Sequence, residues 1–146
     1  PSLPGATRPR GGMVVVDTNV VAYLLIEGDR TAESQALYAR DPDWRSEGFL
    51  LVEFSNLLAT YVRTAKLDAA SAEALLATAE RALTGIVNLP HARAMALAAE
   101  FGVSAYDARF LAVARSLGAK LVTEDAKLRR AAPALTRSLS QALAGV

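Results

Sequence analysis

Cysteine is absent from the chain and histidine occurs once, as His91. Together these absences exclude disulfide staples, thiolate zinc sites, thiol nucleophiles, multi-histidine metal cages and an ordinary nucleophile–histidine triad. Long apolar runs are missing too. The longest, Val20 to Ile26, falls far short of the roughly 20 residues that cross a bilayer, and no apolar stretch near the first residue resembles a signal-peptide core. Nor does charge of one sign dominate: 16 Lys and Arg stand against 15 Asp and Glu, a net charge of +1. Bulk attraction to nucleic acid needs clustered basic residues, so any such contact must be local. Chemistry in this chain therefore rests on carboxylates and hydroxyls.

What is present suits one folded domain. The 146 residues, 52% hydrophobic and 21% charged, match the size of a domain able to bury its own core and lie far from a disordered composition. Residues 1–12 hold three prolines, three glycines and two arginines and read as a tag or flexible tail, with 13–146 as the single domain. Should Met13 be the natural start, Arg8 and Arg10 leave the count and the balance becomes 14 basic against 15 acidic residues, or −1.

Met13 to Asp17 is a continuous apolar run ending in an acid, the pattern of a strand covered on both faces. Asn19 to Ile26 reads as a short helix, broken at Gly28 and Asp29, and Thr31 to Arg40 as an amphipathic one that stops at Asp41-Pro42-Asp43. A brief strand, Trp44 to Glu47, precedes two long helices, Leu50 to Ala65 and Asp68 to Leu83, joined tightly enough to pack as a hairpin. Gly85 to Leu89 is a further strand. Pro90 opens a helix to Phe101, closed by Gly102; Tyr106 to Leu117 is helical, Lys120 to Thr123 a strand, Asp125 to Ala131 a helix and Thr136 to Leu139 an edge strand. Strands alternating with helices predict an α/β fold, a three-layer α/β/α sandwich around a mainly parallel sheet. In such sheets ligands bind at the carboxyl ends of the strands, where Asp17 and Asp125 both fall.

Each of four acids carries two readings. Asp17 ends a buried strand, where a charge needs partners or a cation; alternatively it or Thr18 caps the following helix, worth about 1 kcal/mol. Glu53 interrupts the apolar stretch Phe49-Leu50-Leu51-Val52-Glu53-Phe54 in a helix expected to be buried nearly all round; alternatively it faces solvent. Asp107 shares its helical stripe with Phe110, Leu111 and Ala114 and so points inward; alternatively it completes a capping box begun at Ser104. Asp125 follows a strand and precedes a helix, as a ligand or as an N-cap. Arg45, Arg63, Lys66, Lys127, Arg129 and Arg130 are scattered and read as solvated surface, Trp44 and Tyr106 as core rather than base-stacking residues, and His91 as a surface residue at a helix start.

Four strings in order, Val15-Val16-Asp17-Thr18-Asn19-Val20, Glu53-Phe54-Ser55-Asn56-Leu57-Leu58, Ser104-Ala105-Tyr106-Asp107-Ala108 with Leu111-Ala112-Val113-Ala114, and Leu121-Val122-Thr123-Glu124-Asp125, resemble the PIN-domain family. Their spacing is similar to that of the VapC-type toxins of bacterial toxin–antitoxin pairs, over nearly all of Met13 to Arg137. The resemblance implies a metal-dependent endoribonuclease in which Asp17, Glu53, Asp107 and Asp125 bind Mg²⁺ or Mn²⁺ and leave 5′-phosphate and 3′-hydroxyl ends. Asp17 and Asp107 would be the principal ligands, Asp125 and Glu53 ligands directly or through water, and Asn19 and Thr123 supporting residues. It implies further an RNA substrate, a cognate antitoxin protein, a homodimer, no membrane association and the cytoplasm of a prokaryote. Crowded carboxylates repel one another, and all-oxygen ligands favour a hard ion, so the metal expectation is physically consistent. Two rivals stand beside it: a non-catalytic binding module whose acids are caps, and a haloacid-dehalogenase-like phosphatase, which needs an Asp where Asn19 stands.

Overall fold

The computed structural model describes residues 12–146; the expected tail lies, apart from Gly12, outside the described residues. Strand β1, Met13–Val16, is the centre of the fold because Val14, Val15 and Val16 are buried and both of its edges are paired. It runs parallel to β2, Asp43–Glu47, with Val14 beside Trp44, and parallel to β4, Leu121–Val122, with Val16 beside Val122. Outside these lie β3, Leu83–Val87, next to β2 and β5, Thr136–Arg137, next to β4. The order is β3-β2-β1-β4-β5, and every pairing among the described residues is parallel. Continuous apolar strands demand cover on both faces, and the helices supply it.

The crossovers are α1, Thr18–Leu25, and α2, Thr31–Arg40, between β1 and β2; α3, Phe49–Arg63, and α4, Ala69–Ala82, between β2 and β3; α5, His91–Phe101, and α6, Ala105–Ser116, between β3 and β4; and α7, Ala126–Ala131, between β4 and β5. Helix α6 packs along β1, β2 and β4 through an almost wholly buried run, Phe110 to Ala114, with α5 laid against it, while α1, α2, α3 and α4 pack against one another. Trp44 is the largest fully buried side chain, met edge-on by Tyr38 at 5.1 Å. Aromatic and aliphatic side chains of this size each stabilise the fold by about 1.5–3 kcal/mol when fully buried.

Three elements differ from the sequence reading. Strand β3 begins two residues early, at Leu83, because α4 already stops at Ala82. The expected edge strand Thr136 to Leu139 ends at Arg137, and a final helix, α8, Leu139–Ala144, takes its place. Ser138 caps α8 in a full capping box with Gln141, and Leu139 and Ala142 are buried, but one and a half turns are too short to declare a helical period. Helix α3 is amphipathic rather than buried all round: Leu50, Phe54 and Leu58 form its inner stripe, whereas Val52 is 59% exposed. Glu53 sits at the edge of that stripe, half-buried.

Candidate functional site

Parallel strands place their carboxyl ends on one rim, and the chain leaves β1 into Asp17 and β4 into Thr123, Glu124 and Asp125. Above that rim lies a cavity of about 200 Å³ lined by the acids Asp17, Glu53, Asp107 and Asp125, by Thr18 and Asn19, and by the apolar walls Leu57 and Phe110. The acids come from the end of β1, from α3, from the first turn of α6 and from the start of α7.

Each acid is held by its local structure. Asp17 is buried and caps α1, accepting from the Val20 N–H at 3.3 Å. Burial pushes its carboxyl up to about 6, with Asp107 and Asp125 adding repulsion; the Thr123 hydroxyl and the Val20 N–H oppose the rise. Glu53 accepts from the Thr18 hydroxyl at 2.5 Å, which ties α3 to the start of α1. Asp107 is half-buried at the third position of α6, where its own N–H donates to the Ser104 cap at 3.1 Å. Burial raises its carboxyl and nearby Asp125 raises it further, against the Ser104 hydrogen bond. Asp125 is exposed and caps α7 through the N–H groups of Lys127 and Leu128, while its own N–H donates to Thr123 Oγ1 at 3.1 Å. Ligand and cap are thus compatible readings for Asp17 and Asp125, since a capping carboxylate spends one oxygen and keeps the other.

Of the two expected supporting residues, Asn19 is exposed on the cavity wall and Thr123 lies fully buried beneath it, acting on Asp17 and Asp125. Thr18 matters more than its sequence context suggested: it lines the cavity and anchors Glu53. Tyr106 departs from the sequence reading. Rather than core it is 63% exposed, its ring stacked on Phe49 with centroids 5.4 Å apart and planes 12° from parallel.

The donor set suits a hard divalent ion: every candidate ligand atom is oxygen, and a buried carboxyl whose charged form is disfavoured by burial and by two neighbouring acids is relieved by a cation. Among the described residues no three of these side chains are yet gathered into a finished metal cage. Glu53 is turned to Thr18, and Asp125 to the first turn of its own helix.

The PIN domain family matches residues 14–133 of the chain. Ribonuclease VapC3 of Pyrobaculum aerophilum is 27% identical over 126 residues, covering 84% of this chain and 96% of that protein. Among solved structures, the crystal structure of PAE2754 from Pyrobaculum aerophilum superposes with a TM-score of 0.75 at 22% identity, over 94% of this chain and 96% of that one. A toxin–antitoxin complex from Klebsiella pneumoniae gives a TM-score of 0.55 at 24% identity, over 78% of this chain and 88% of that one.

Proposed function

Because the chain belongs to the PIN domain family, we propose that it is a divalent-metal-dependent endoribonuclease, the toxin of a VapBC-type pair. The observation that carries this reading is the convergence of Asp17, Glu53, Asp107 and Asp125, from segments up to about a hundred residues apart, on one cavity at the carboxyl rim. Support also comes from the similarity to Ribonuclease VapC3.

Asp17 and Asp107 are the principal ligands in this proposal, with Glu53 and Asp125 completing the set, directly or through water, for Mg²⁺ or Mn²⁺. The chemistry that such an ion supplies is Lewis acidity toward water and phosphate oxygens. The protein's own part is preorganisation. Val20 and Thr123 fix Asp17, Ser104 fixes the turn that carries Asp107, and Thr18 holds Glu53 until an ion competes for it. Leu57 and Phe110 keep one wall of the cavity apolar, which lowers the local dielectric and strengthens charge interactions inside. The partners proposed are RNA, a small antitoxin protein and a second copy of the chain, in the cytoplasm. Among the described residues no helix is long and apolar enough to cross a membrane.

The test is incubation of purified wild type and Asp107→Asn with total RNA plus Mg²⁺ or Mn²⁺, followed by mapping of the ends. Wild type should cut only with metal and leave 5′-phosphates, and Asp107→Asn should be slower by 10²-fold or more, since the mechanism relies on metal-ligand charge. Equal cutting by the two proteins would reject the site.

A further inference from the structure

A second cavity, of about 500 Å³, opens on the same rim. Glu47, the last residue of β2, and Asn88, immediately after β3, line it together with Gly48, Phe49, His91 and Arg109. The aromatic pair links the two cavities: Phe49 lines the second, and Tyr106, stacked on it, directly precedes Asp107 of the first.

Charge decides what class of group this cavity takes. Arg109 is paired with the buried Glu47 carboxylate at 3.1 Å and lies over the Phe49 ring at 5.6 Å. Its cation is thus spent, and the cavity offers no uncompensated charge to a phosphate. What it does offer is the Phe49 ring, ordered by Arg109 and by the exposed Tyr106 ring stacked on it, and neutral hydrogen-bonding groups at the rim. Arg109 Nη2 contacts His91 Nδ1 at 3.0 Å. A guanidinium only donates, so in this contact His91 Nδ1 accepts and the ring hydrogen is carried on Nε2. Asn88 supplies both a donor and an acceptor. It crowds the backbone at Gly48, where an added Cβ would lie 2.4 Å from Asn88 Oδ1, so only glycine leaves the amide in that place. Flat, neutral, apolar on its faces and polar at its edge is the description of a nucleobase.

We propose that this cavity is a base-binding subsite for single-stranded RNA: an unpaired nucleobase flanking the scissile phosphate packs against the Phe49–Tyr106 pair and presents its edge to Asn88 and His91. The subsite rests on the ribonuclease reading above and adds to it a determinant of where along the RNA the cut falls. Stacking of this kind is sequence-tolerant, whereas the edge contacts select among bases.

The experiment is a two-way cycle of protein and substrate. Wild type, Tyr106→Ala and Tyr106→Trp are assayed with Mn²⁺ on an oligonucleotide containing the mapped cleavage site, intact or with one abasic residue at each flanking position in turn. For wild type, one abasic position should lower kcat/KM about tenfold, the worth of one base–aromatic stack. Tyr106→Ala should lose about tenfold on intact RNA, chiefly in KM, and almost nothing more on that abasic RNA, while Tyr106→Trp should restore discrimination. Met95→Ala, an exposed change on α5 away from the cavity lining, should behave as wild type. Equal abasic losses in wild type and Tyr106→Ala would overturn the subsite while leaving the nuclease intact. No cleavage by wild type under any condition would instead remove the nuclease reading itself. If Tyr106→Ala halves the mass in sedimentation and leaves the abasic profile unchanged, the stack is a contact with a second copy, and the subsite is likewise overturned.

Discussion

Asp17 shows how a single buried residue can stand against stability. Its carboxyl titrates near 6 in the folded protein, above the ordinary value of 3.8, chiefly because it is buried. Below pH 3.8 the group is protonated in both folded and unfolded chains and contributes nothing. Between 3.8 and 6 the unfolded chain gives up the proton first, so stability falls as pH rises, and above 6 the full penalty stands. Without divalent metal that penalty is roughly 3 kcal/mol. Asp17→Asn removes it and keeps an oxygen to accept from Val20, at the expense of some hydrogen-bond strength. Urea unfolding in EDTA should therefore show the variant more stable than wild type by about 1–2 kcal/mol at pH 7.5 and not at pH 3.5. A variant less stable than wild type at pH 7.5 would mean that Asp17 is held by partners strong enough to repay its burial. The position of this acid at the end of an apolar strand was legible from sequence, and so was its capacity to cap. The raised titration was not, because it depends first on how deeply the folded chain buries the carboxyl and then on Asp107 and Asp125, which arrive from elsewhere in the chain.

At the scale of the element, boundaries follow local chemistry. Asp68, Ser104 and Asp125 each cap the helix that follows, as their residue types favour. Helix α3 ends differently. Ala65 takes φ +58°, a left-handed conformation, so that the Lys66 N–H reaches the Tyr61 carbonyl at 2.8 Å and closes the last turn. For an alanine this conformation costs about 1 kcal/mol. Ala65→Gly should accordingly raise stability by about 0.5 kcal/mol after its greater unfolded-state entropy is counted. Thermal melts of the two proteins in one buffer check this, and a lower melting temperature for the glycine variant would show that Ala65 packs more than it strains. Nothing in the sequence marks Ala65 as a left-handed residue. Helix α8 escaped sequence reading for a related reason: its Ser138–Gln141 box is a clear start signal only once β5 is known to end at Arg137.

For the whole molecule, the acids belong to one site only while the sheet holds β1 and β4 side by side and α3 and α6 above them. A divalent ion that binds the folded chain and not the unfolded one stabilises it by about 2.7 kcal/mol at a concentration one hundred times Kd. Mn²⁺ should therefore raise the melting temperature of wild type by several degrees, and the rise should vanish in Asp17→Asn and in Asp107→Asn. A melting temperature indifferent to metal in all three proteins would favour the alternative of a binding module, for which Asp17, Asp107 and Asp125 serve their helix starts and nothing more.

The linear order of residues was enough to determine the class of fold and the menu of chemistry. Alternating strand and helix signals dictate a parallel sheet, the continuous valine run marks β1 as a strand covered on both faces, and the lack of cysteine and the single histidine leave oxygen ligands as the means of holding a metal. Individual acids also stood out as misplaced among apolar neighbours. What only tertiary structure decided is proximity: that Thr18 reaches Glu53, that Asp107 and Asp125 act on Asp17, and that Tyr106 leaves the core to stack on Phe49 beside a second cavity. Local sequence governs a residue's backbone and its nearest turn. Fields between charges and contacts between rings act through space, across separations that chain topology alone brings down to a few ångströms.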